Sequence, residues 1–295
     1  MDADQVGRVR RFNRMVTQRI GALDDSYLSR HRPLGQARVL WEVGSAPGGR
    51  TLRELRALLE LDSGYLTRLL AALDDDGLVT VAEDADDRRV RRAMITDAGR
   101  AERAEYDRLS NTQAAQFLEP LGDSQRTRLV EAMGVIERLL EASAVEFAIV
   151  DPAEPAAREA TARYFAELSE RFEHGYDPSA AISADDADVT LPRGITLLAT
   201  LHGEPVALGL LKFHGEWAHL KRMWLSRELR GVGLGSRLLQ TLESHAAAHG
   251  IRTVRLETNR ALTEAIALYH HAGYREVAAF NDEPHGDHWF EKELP

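Results

Sequence analysis

Arg230-Gly231-Val232-Gly233-Leu234-Gly235 stands between an apolar run, 216–225, that reads as a strand and a Leu-rich stretch, 235–249, that reads as a helix. Three glycines let a backbone approach an anion closely, and the helix beginning there offers unpaired N–H groups and the positive end of its dipole to a pyrophosphate. A dinucleotide-binding turn would need G-x-G-x-x-G early in a βαβ unit. Here the spacing is G-x-G-x-G, late in the chain, after a strand interrupted by Lys221 and Arg222. A structural glycine turn is the other alternative.

On either side of this turn the residues switch between the strand and helix periods. Val145, Phe147 and Ile149 read as a strand, Pro152 and Pro155 break it, and a helix runs from about Ala156 to His174. Apolar strands follow at 195–201 and 205–213, joined through His202, Gly203 and Glu204 as a hairpin. After the Gly-rich turn and its helix come a strand at Ile251–Thr258, a helix at Thr263–Ala272, and strands at 274–280 and 287–294. This half is α/β.

The chain upstream is helical. Val6, Val9, Val16, Ile20, Leu23 and Tyr27 form one stripe on a helix reaching about His31, and Ala37, Leu40, Trp41 and Val43 mark a second helix stopping at Gly44. Thr51 with Glu54 makes a capping box for a third, and Ser63 is the expected cap of a fourth, with Leu66, Leu69, Leu70 and Leu73 buried and Gly77 as its stop. Leu78, Val79 and Val81, a turn at Asp84–Asp87, and Val90–Ile95 then make a hairpin. Helices at 97–118 and 124–142 close this half, the latter with Leu129, Met133, Ile136 and Leu140 on one face. The expected domains are 1–143, mainly α with a helix-turn-helix and a wing, and 144–295, α/β.

Composition agrees with two globular domains: 295 residues, 44% hydrophobic and 28% charged. With no cysteine, disulfides, thiolate metal sites and cysteine nucleophiles are excluded. The histidines His270, His271, His285 and His288 do not make a zinc set, so no metal is expected. No run approaches a membrane span, and Met1-Asp2-Ala3-Asp4 does not open a signal peptide, so the expected location is the cytoplasm. Net charge is −10, but residues 1–150 hold 22 Arg against 25 acidic residues, net −3, with no Lys. Any DNA binding must therefore be local, and Arg is the side chain suited to it.

The order strand, Arg-x-x-Gly-x-Gly, helix, strand ending in Asn259, helix containing Tyr269 resembles the GNAT superfamily of acyl-CoA N-acyltransferases over about 145–295. The resemblance implies a mixed, mostly antiparallel sheet and acetyl-CoA as acyl donor. Arg230, Gly231, Val232, Gly233, Leu234, Gly235 and Ser236 would hold its pyrophosphate, and the backbone of Met223, Trp224 and Leu225 would pair with the pantetheine arm. Asn259 would contact the arm further along, and Tyr269 would act as general acid toward the leaving thiolate. His219 takes the place of a strand-borne carboxylate base, with Glu216 and Glu257 as rivals acting through water. Arg227 stands where many relatives have Pro. A core role for Tyr269, and exposed strand positions for the three candidate bases, are the structural alternatives. The C-terminal run Phe280 to Phe290 either recognises a small amine or amino acid or packs as an edge hairpin.

The first half, over about 5–143, resembles the MarR family of transcriptional regulators, on Asp87-Arg88-Arg89 followed by Ile95, Thr96 and Gly99, with Ala85 where a proline is usual. The likeness implies a homodimer formed through the first and last helices and double-stranded DNA as partner. Ser63, Tyr65, Thr67 and Arg68, opposite the Leu face, would enter the major groove, and Arg88 and Arg89 would serve the wing. A solvated charge run balanced by Asp84, Asp86 and Asp87 is the alternative for the wing. The joint expectation is a regulator that is also an acetyltransferase acting on a primary amine of a small molecule or protein. A repressor that only senses acetyl-CoA is the alternative.

Overall fold

A computed structural model describes residues 2–20, 27–84, 87–182 and 184–295. The chain divides into two compact units, Met1–Leu129 and Val130–Pro295. The division falls inside the helix Asp123–Ala144.

The first unit contains α1 (Ala3–Arg19), α2 (Leu34–Ser45), β1 (Arg50–Thr51), α3 (Leu52–Leu59), α4 (Ser63–Asp75), β2 (Val79–Glu83), β3 (Arg91–Ile95), α5 (Asp97–Leu118) and the start of α6 (Asp123–Ala144). α1 stops at Arg19, short of the expected His31; Leu23 lies outside the described residues. The capping box on α3 is formed, Glu54 N donating to Thr51 Oγ1 at 3.1 Å and Thr51 N to Glu54 Oε2 at 2.7 Å. The cap of α4 is Asp62, whose Oδ1 accepts Tyr65 N at 2.8 Å, and Ser63 is the first helical residue. An aspartate one residue earlier accepts a first-turn N–H and so takes the capping role expected of Ser63. Glu60, at φ +51°, turns the chain between α3 and α4. Leu66, Leu69, Leu70 and Leu73 are all buried, packed with Val39, Leu40, Val43 and Leu55. Each such side chain removed from water contributes about 1.5–3 kcal/mol.

The wing is a three-stranded sheet in the order β1-β3-β2, β1 being a short strand that hydropathy alone does not mark. Where the wing returns to α5, Thr96 caps the helix and its hydroxyl donates to Gly77 O at 2.7 Å. Gly99 sits so close to Leu78 O that a Cβ would lie 2.0 Å from it, so only glycine permits this exit. Val6, Val9, Phe12, Met15 and Ile20 of the first helical segment are exposed, as are Val130, Met133, Val135, Leu139 and Leu140 of α6.

The second unit contains the end of α6, then β4 (Glu146–Val150), α7 (Pro155–Arg171), β5 (Gly194–Leu201), β6 (Glu204–His214), β7 (Trp217–Leu225), α8 (Leu234–Ala248), β8 (Thr253–Thr258), α9 (Thr263–His271), β9 (Arg275–Val277) and β10 (His288–Glu293). α7 ends at Arg171 rather than His174, and α8 begins at Leu234. The last turn of α6 is held by Arg237, which donates to Ala142 O and Val145 O at 2.9 Å. The sheet runs β4-β5-β6-β7-β8-β10-β9, antiparallel except between β7 and β8. β10 lies inside it, between β8 and β9, so Phe290 is wholly buried rather than on an edge.

Both faces of the sheet are covered, which is why β5 and β6 read as unbroken apolar runs. Leu197, Ala207 and Leu211 pack with Leu238 and Leu242 of α8 on one face. Leu198, Leu208 and Leu210 pack with Ala160 of α7 on the other. β7 carries a bulge: Leu208 faces Trp224 and Leu210 faces Lys221, so β7 has one residue more than β6 in this interval, and Arg222 adopts φ +51°. One extra residue reverses the side-chain alternation. Leu220 before the bulge faces α8, and Trp224 after it faces α7, although the two numbers have the same parity.

Candidate active site and winged unit

Among the described residues, β7 and β8 are paired at three positions, Trp217 with Thr253, Ala218 with Val254 and His219 with Arg255. Past His219 the ladder ends. The bulge follows at once, and a cleft opens between Leu220–Leu225 and Leu256–Thr258, both strands being parallel and forced apart on one side. α8 starts at the wide end of this cleft. Its N-cap, Gly233, lies at φ +84° and ψ −1° and supplies no side-chain acceptor to the first-turn N–H groups. Gly231 is also left-handed, at φ +79°, and a Cβ on either residue would meet nothing within 4 Å. These glycines face open space, so they are needed for backbone shape and for access to the N–H groups.

Two cavities occupy the cleft. The larger, about 450 Å³, is lined by Met223, Trp224, Leu225, Arg230, Gly231, Gly233, Gly235, Ser236 and Tyr269, together with α7 residues. Val232 and Leu234 do not line it, and the Leu234 side chain belongs to the core beneath. The smaller, about 100 Å³, lies beyond and includes Lys221, Glu257, Asn259, Glu283 and His285. Tyr269 and Met223 line both, so they mark the junction.

Two expected cofactor contacts are committed to the protein itself. Arg230 Nη2 pairs with Glu167 at 2.6 Å, and both its Nε and Nη2 donate to Leu225 O, at 3.1 and 2.7 Å. Its guanidinium therefore fixes the glycine turn to β7 and α7 while still lining the larger cavity. Asn259 donates to His285 O at 3.0 Å and accepts Ala261 N at 2.9 Å, which makes it a turn-former. It lines the smaller cavity and not the larger.

Glu257 is the electrostatic centre. Its carboxylate takes His219 Nε2 at 2.6 Å, Lys221 Nζ at 2.8 Å and Asn281 Nδ2 at 3.0 Å. Burial pushes this carboxyl up, but the hydrogen bond and charge of His219 and then Lys221 outweigh it and bring the pKa down to about 2. Glu257 is thus an anion that orients the buried His219 ring and holds Lys221. Glu216, by contrast, lies in the β6–β7 turn with its side chain 77% exposed, beside Arg252. It lines neither cavity, because the turn is at the closed end of the β7–β8 pair. Tyr269 is 5% exposed, and its hydroxyl meets Met223 Sδ at 3.9 Å, a weak acceptor. Burial, with the Glu257 charge adding to it, pushes the phenol above its ordinary value, so it stays protonated.

Sequence reasoning did not find Glu167, or Lys221 as a charge partner, and reached Glu283 only as one member of the run from Phe280 to Phe290. Glu283 signals nothing by spacing, since a loop brings it 62 residues along the chain to Lys221 at 3.4 Å. The run beginning at Phe280 does reach the cleft: Trp289 Nε1 donates to Asn281 Oδ1 at 2.8 Å, which aims the amide at Glu257.

In the first unit, Ser63, Tyr65, Thr67 and Arg68 are all exposed on α4, opposite its buried leucines, with the Arg68 guanidinium 5.6 Å from the Tyr65 ring centre. Arg88 and Arg89 are exposed in the wing. Arg92 turns inward to Asp84 at 2.5 Å and Gly49 O at 3.2 Å and braces the hairpin, so the charge run divides between outward and structural arginines. Ala85 and Asp86 lie outside the described residues. Among the described residues, no cluster of three or more His, Cys, Asp or Glu can hold a metal, and no helix is long and apolar enough to cross a membrane.

Comparison with known proteins places these features in families. The model for the acetyltransferase (GNAT) family matches residues 158–274, and that for the MarR family matches residues 31–90. An IAA acetyltransferase of Azospirillum brasilense is 33% identical over 92 residues, 30% of this chain and 59% of that protein. The chain thus spans less than two thirds of that relative's length. Among solved structures, a GNAT-family acetyltransferase of Staphylococcus aureus aligns with TM-score 0.43 and 17% identity over 51% of this chain and 100% of its own. A MarR-family transcriptional regulator of Rhodococcus sp. RHA1 aligns with TM-score 0.37 and 19% identity over 46% of this chain and 96% of its own. The chain carries a MarR-family segment followed by a domain of the acetyltransferase (GNAT) family.

Proposed function

We propose that the protein is an acetyl-CoA-dependent N-acetyltransferase that also binds double-stranded DNA through its winged unit. The observation that carries the enzymatic reading is the opening of the sheet past His219, with Tyr269 at the junction of two cavities and a glycine-lined helix N-terminus at one end. The pyrophosphate sits on the N–H groups around Gly231, Gly233, Gly235 and Ser236, with Arg230 holding that loop in place. The backbone of Met223–Leu225, left without a neighbour on β8, pairs with the pantetheine arm. The thioester carbon then lies near Tyr269 and the amine arrives from the smaller cavity.

The amine nitrogen attacks the thioester carbon, the C–S bond breaks, and the thiolate leaves. Tyr269 donates a hydrogen bond to the developing thiolate. Its raised pKa makes full proton transfer costly, so it acts chiefly by stabilising charge. The amine proton leaves toward the Glu257–His219 pair, of which Glu257 lines the smaller cavity and His219 is buried beside it. On DNA, Ser63, Tyr65, Thr67 and Arg68 face the major groove and Arg88 and Arg89 the minor groove. The exposed apolar faces of α1 and α6 support a homodimer.

The test is calorimetric binding of acetyl-CoA followed by a screen of amines with thiol release as readout. Binding with amine-dependent thiol release is expected. Binding without release from any amine would favour a domain that only senses the thioester, and no binding would remove the cofactor assignment.

A further inference from the structure

The smaller cavity has a composition the reaction alone does not require. Its outer wall is aromatic: Phe165 stacks on Tyr176 at 5.5 Å between ring centres, Phe172 meets Tyr176 edge-on at 5.8 Å, and the His285 ring lies 4.8 Å from Tyr176. Facing them is Glu283, with its side chain 7% exposed. One of its oxygens, Oε2, accepts Ile182 N at 2.9 Å and Lys221 Nζ at 3.4 Å. The other, Oε1, is buried and has no hydrogen-bond partner, and His285 Nε2 is in the same condition. Leaving a buried carboxylate oxygen unpaired is costly, so it marks a place where a donor is missing.

The cations of the cavity do not fill that place. Lys221 is held by Glu257, Glu283 and Ile182 O, and Arg222 lies over Phe165 at 5.2 Å with Nη2 on Ala184 O. A carboxylate beside aromatic faces is the combination that holds an organic ammonium, by a charge-assisted hydrogen bond and by cation–π attraction. The volume, about 100 Å³, suits one small ring or short apolar body.

We infer that the acceptor is a small primary amine on an aromatic body, its ammonium bound by Glu283 Oε1 and its ring packed against Phe165, Phe172 and Tyr176. This rests on the acetyltransferase reading above. Glu283 binds the entering ammonium, which gives one proton to water before the free amine nitrogen attacks the thioester.

The test uses 2-phenylethylamine and tyramine, with butylamine, spermidine and a lysine-containing peptide as competitors of other shapes. Calorimetry reads amine binding directly, and thiol release reads turnover. The aralkylamines should give kcat/KM at least 10-fold above the other three. Glu283→Gln should raise their KM about 10-fold or more while leaving acetyl-CoA affinity unchanged. Tyr176→Leu should lower kcat/KM for 2-phenylethylamine about 10-fold but that for butylamine less than 3-fold, a change of ratio that misfolding would not produce. Spermidine or the peptide as best acceptor, or an unmoved KM in Glu283→Gln, would overturn the inference while the enzyme reading stands. Failure of both aralkylamines to bind by calorimetry to protein that binds acetyl-CoA would also overturn it. Failure to bind acetyl-CoA would instead remove the reading beneath it.

Discussion

Gly233 and Gly250 bracket α8 and make a matched pair for testing the anion cradle. Both have positive φ, +84° and +80°, and a Cβ on either meets nothing within 4 Å. Replacing either by Asp therefore adds the same group to the same backbone conformation, at a cost of about 1–2 kcal/mol. The two ends of the helix then act oppositely on stability. At Gly233 a carboxylate meets the positive end of the dipole and can cap it, which offsets about 1 kcal/mol; at Gly250 it meets the negative end and adds about 0.3–1 kcal/mol of cost. Gly233→Asp should thus retain more stability than Gly250→Asp. Ligand affinity should follow the reverse order. A carboxylate about 5 Å from one phosphate charge, at an effective dielectric of about 20–40, opposes binding by about 1.5–3 kcal/mol, or roughly 10- to 200-fold in Kd. At Gly250 the same charge is about 22 Å away along a 15-residue helix and beyond a Debye length. Urea unfolding gives the first order and calorimetry with acetyl-CoA the second. Equal acetyl-CoA affinity in both variants would refute the cradle.

Tyr269→Phe should lower kcat about 10- to 1000-fold with acetyl-CoA affinity unchanged, because among the described residues its hydroxyl is bonded only to a thioether sulfur; wild-type turnover would make the residue structural. Glu257 has a depressed pKa, so its stabilisation is present above the unfolded value near 4.5 and is lost as pH falls toward about 2, on the order of 3 kcal/mol in all. Unfolding curves between pH 5 and pH 2.5 should accordingly be flatter for Glu257→Gln than for wild type, and parallel curves would refute the assignment. Replacing Arg88 and Arg89 with Ala should flatten the salt dependence of DNA binding by up to about two units of log slope, measured on a site selected from genomic fragments. Identical slopes would leave the wing without phosphate contacts.

The order of helices and strands was legible because hydrophobic period and capping are local properties: the Thr51–Glu54 box and the Leu66, Leu69, Leu70, Leu73 face appear where the residues put them. The departures arise where two local solutions compete or where partners are distant. Asp62 displaced Ser63 as cap, and the two-residue strand β1 has no period to read. In the site, the glycine turn and Tyr269 were visible as a motif. The engagement of Arg230 by Glu167 and of Lys221 by Glu257 and Glu283 was not, since long-range ion pairs leave no spacing rule. Lys221 and Arg222 did carry a signal: two charges inside an apolar strand coincide with the bulge.

The narrow ladder between β7 and β8 has a mechanical consequence. On one side stand four strands, β4 to β7, and on the other β8, β10 and β9. Three residue pairs fasten these two panels at one end, like the stitched end of a slit. At the last of these pairs and just past it, His219 and Lys221 on one panel grip Glu257 on the other, so this carboxylate works as a rivet against tearing. Its length, rather than any backbone bond, sets the gape of the slit at the depth where the thioester would lie.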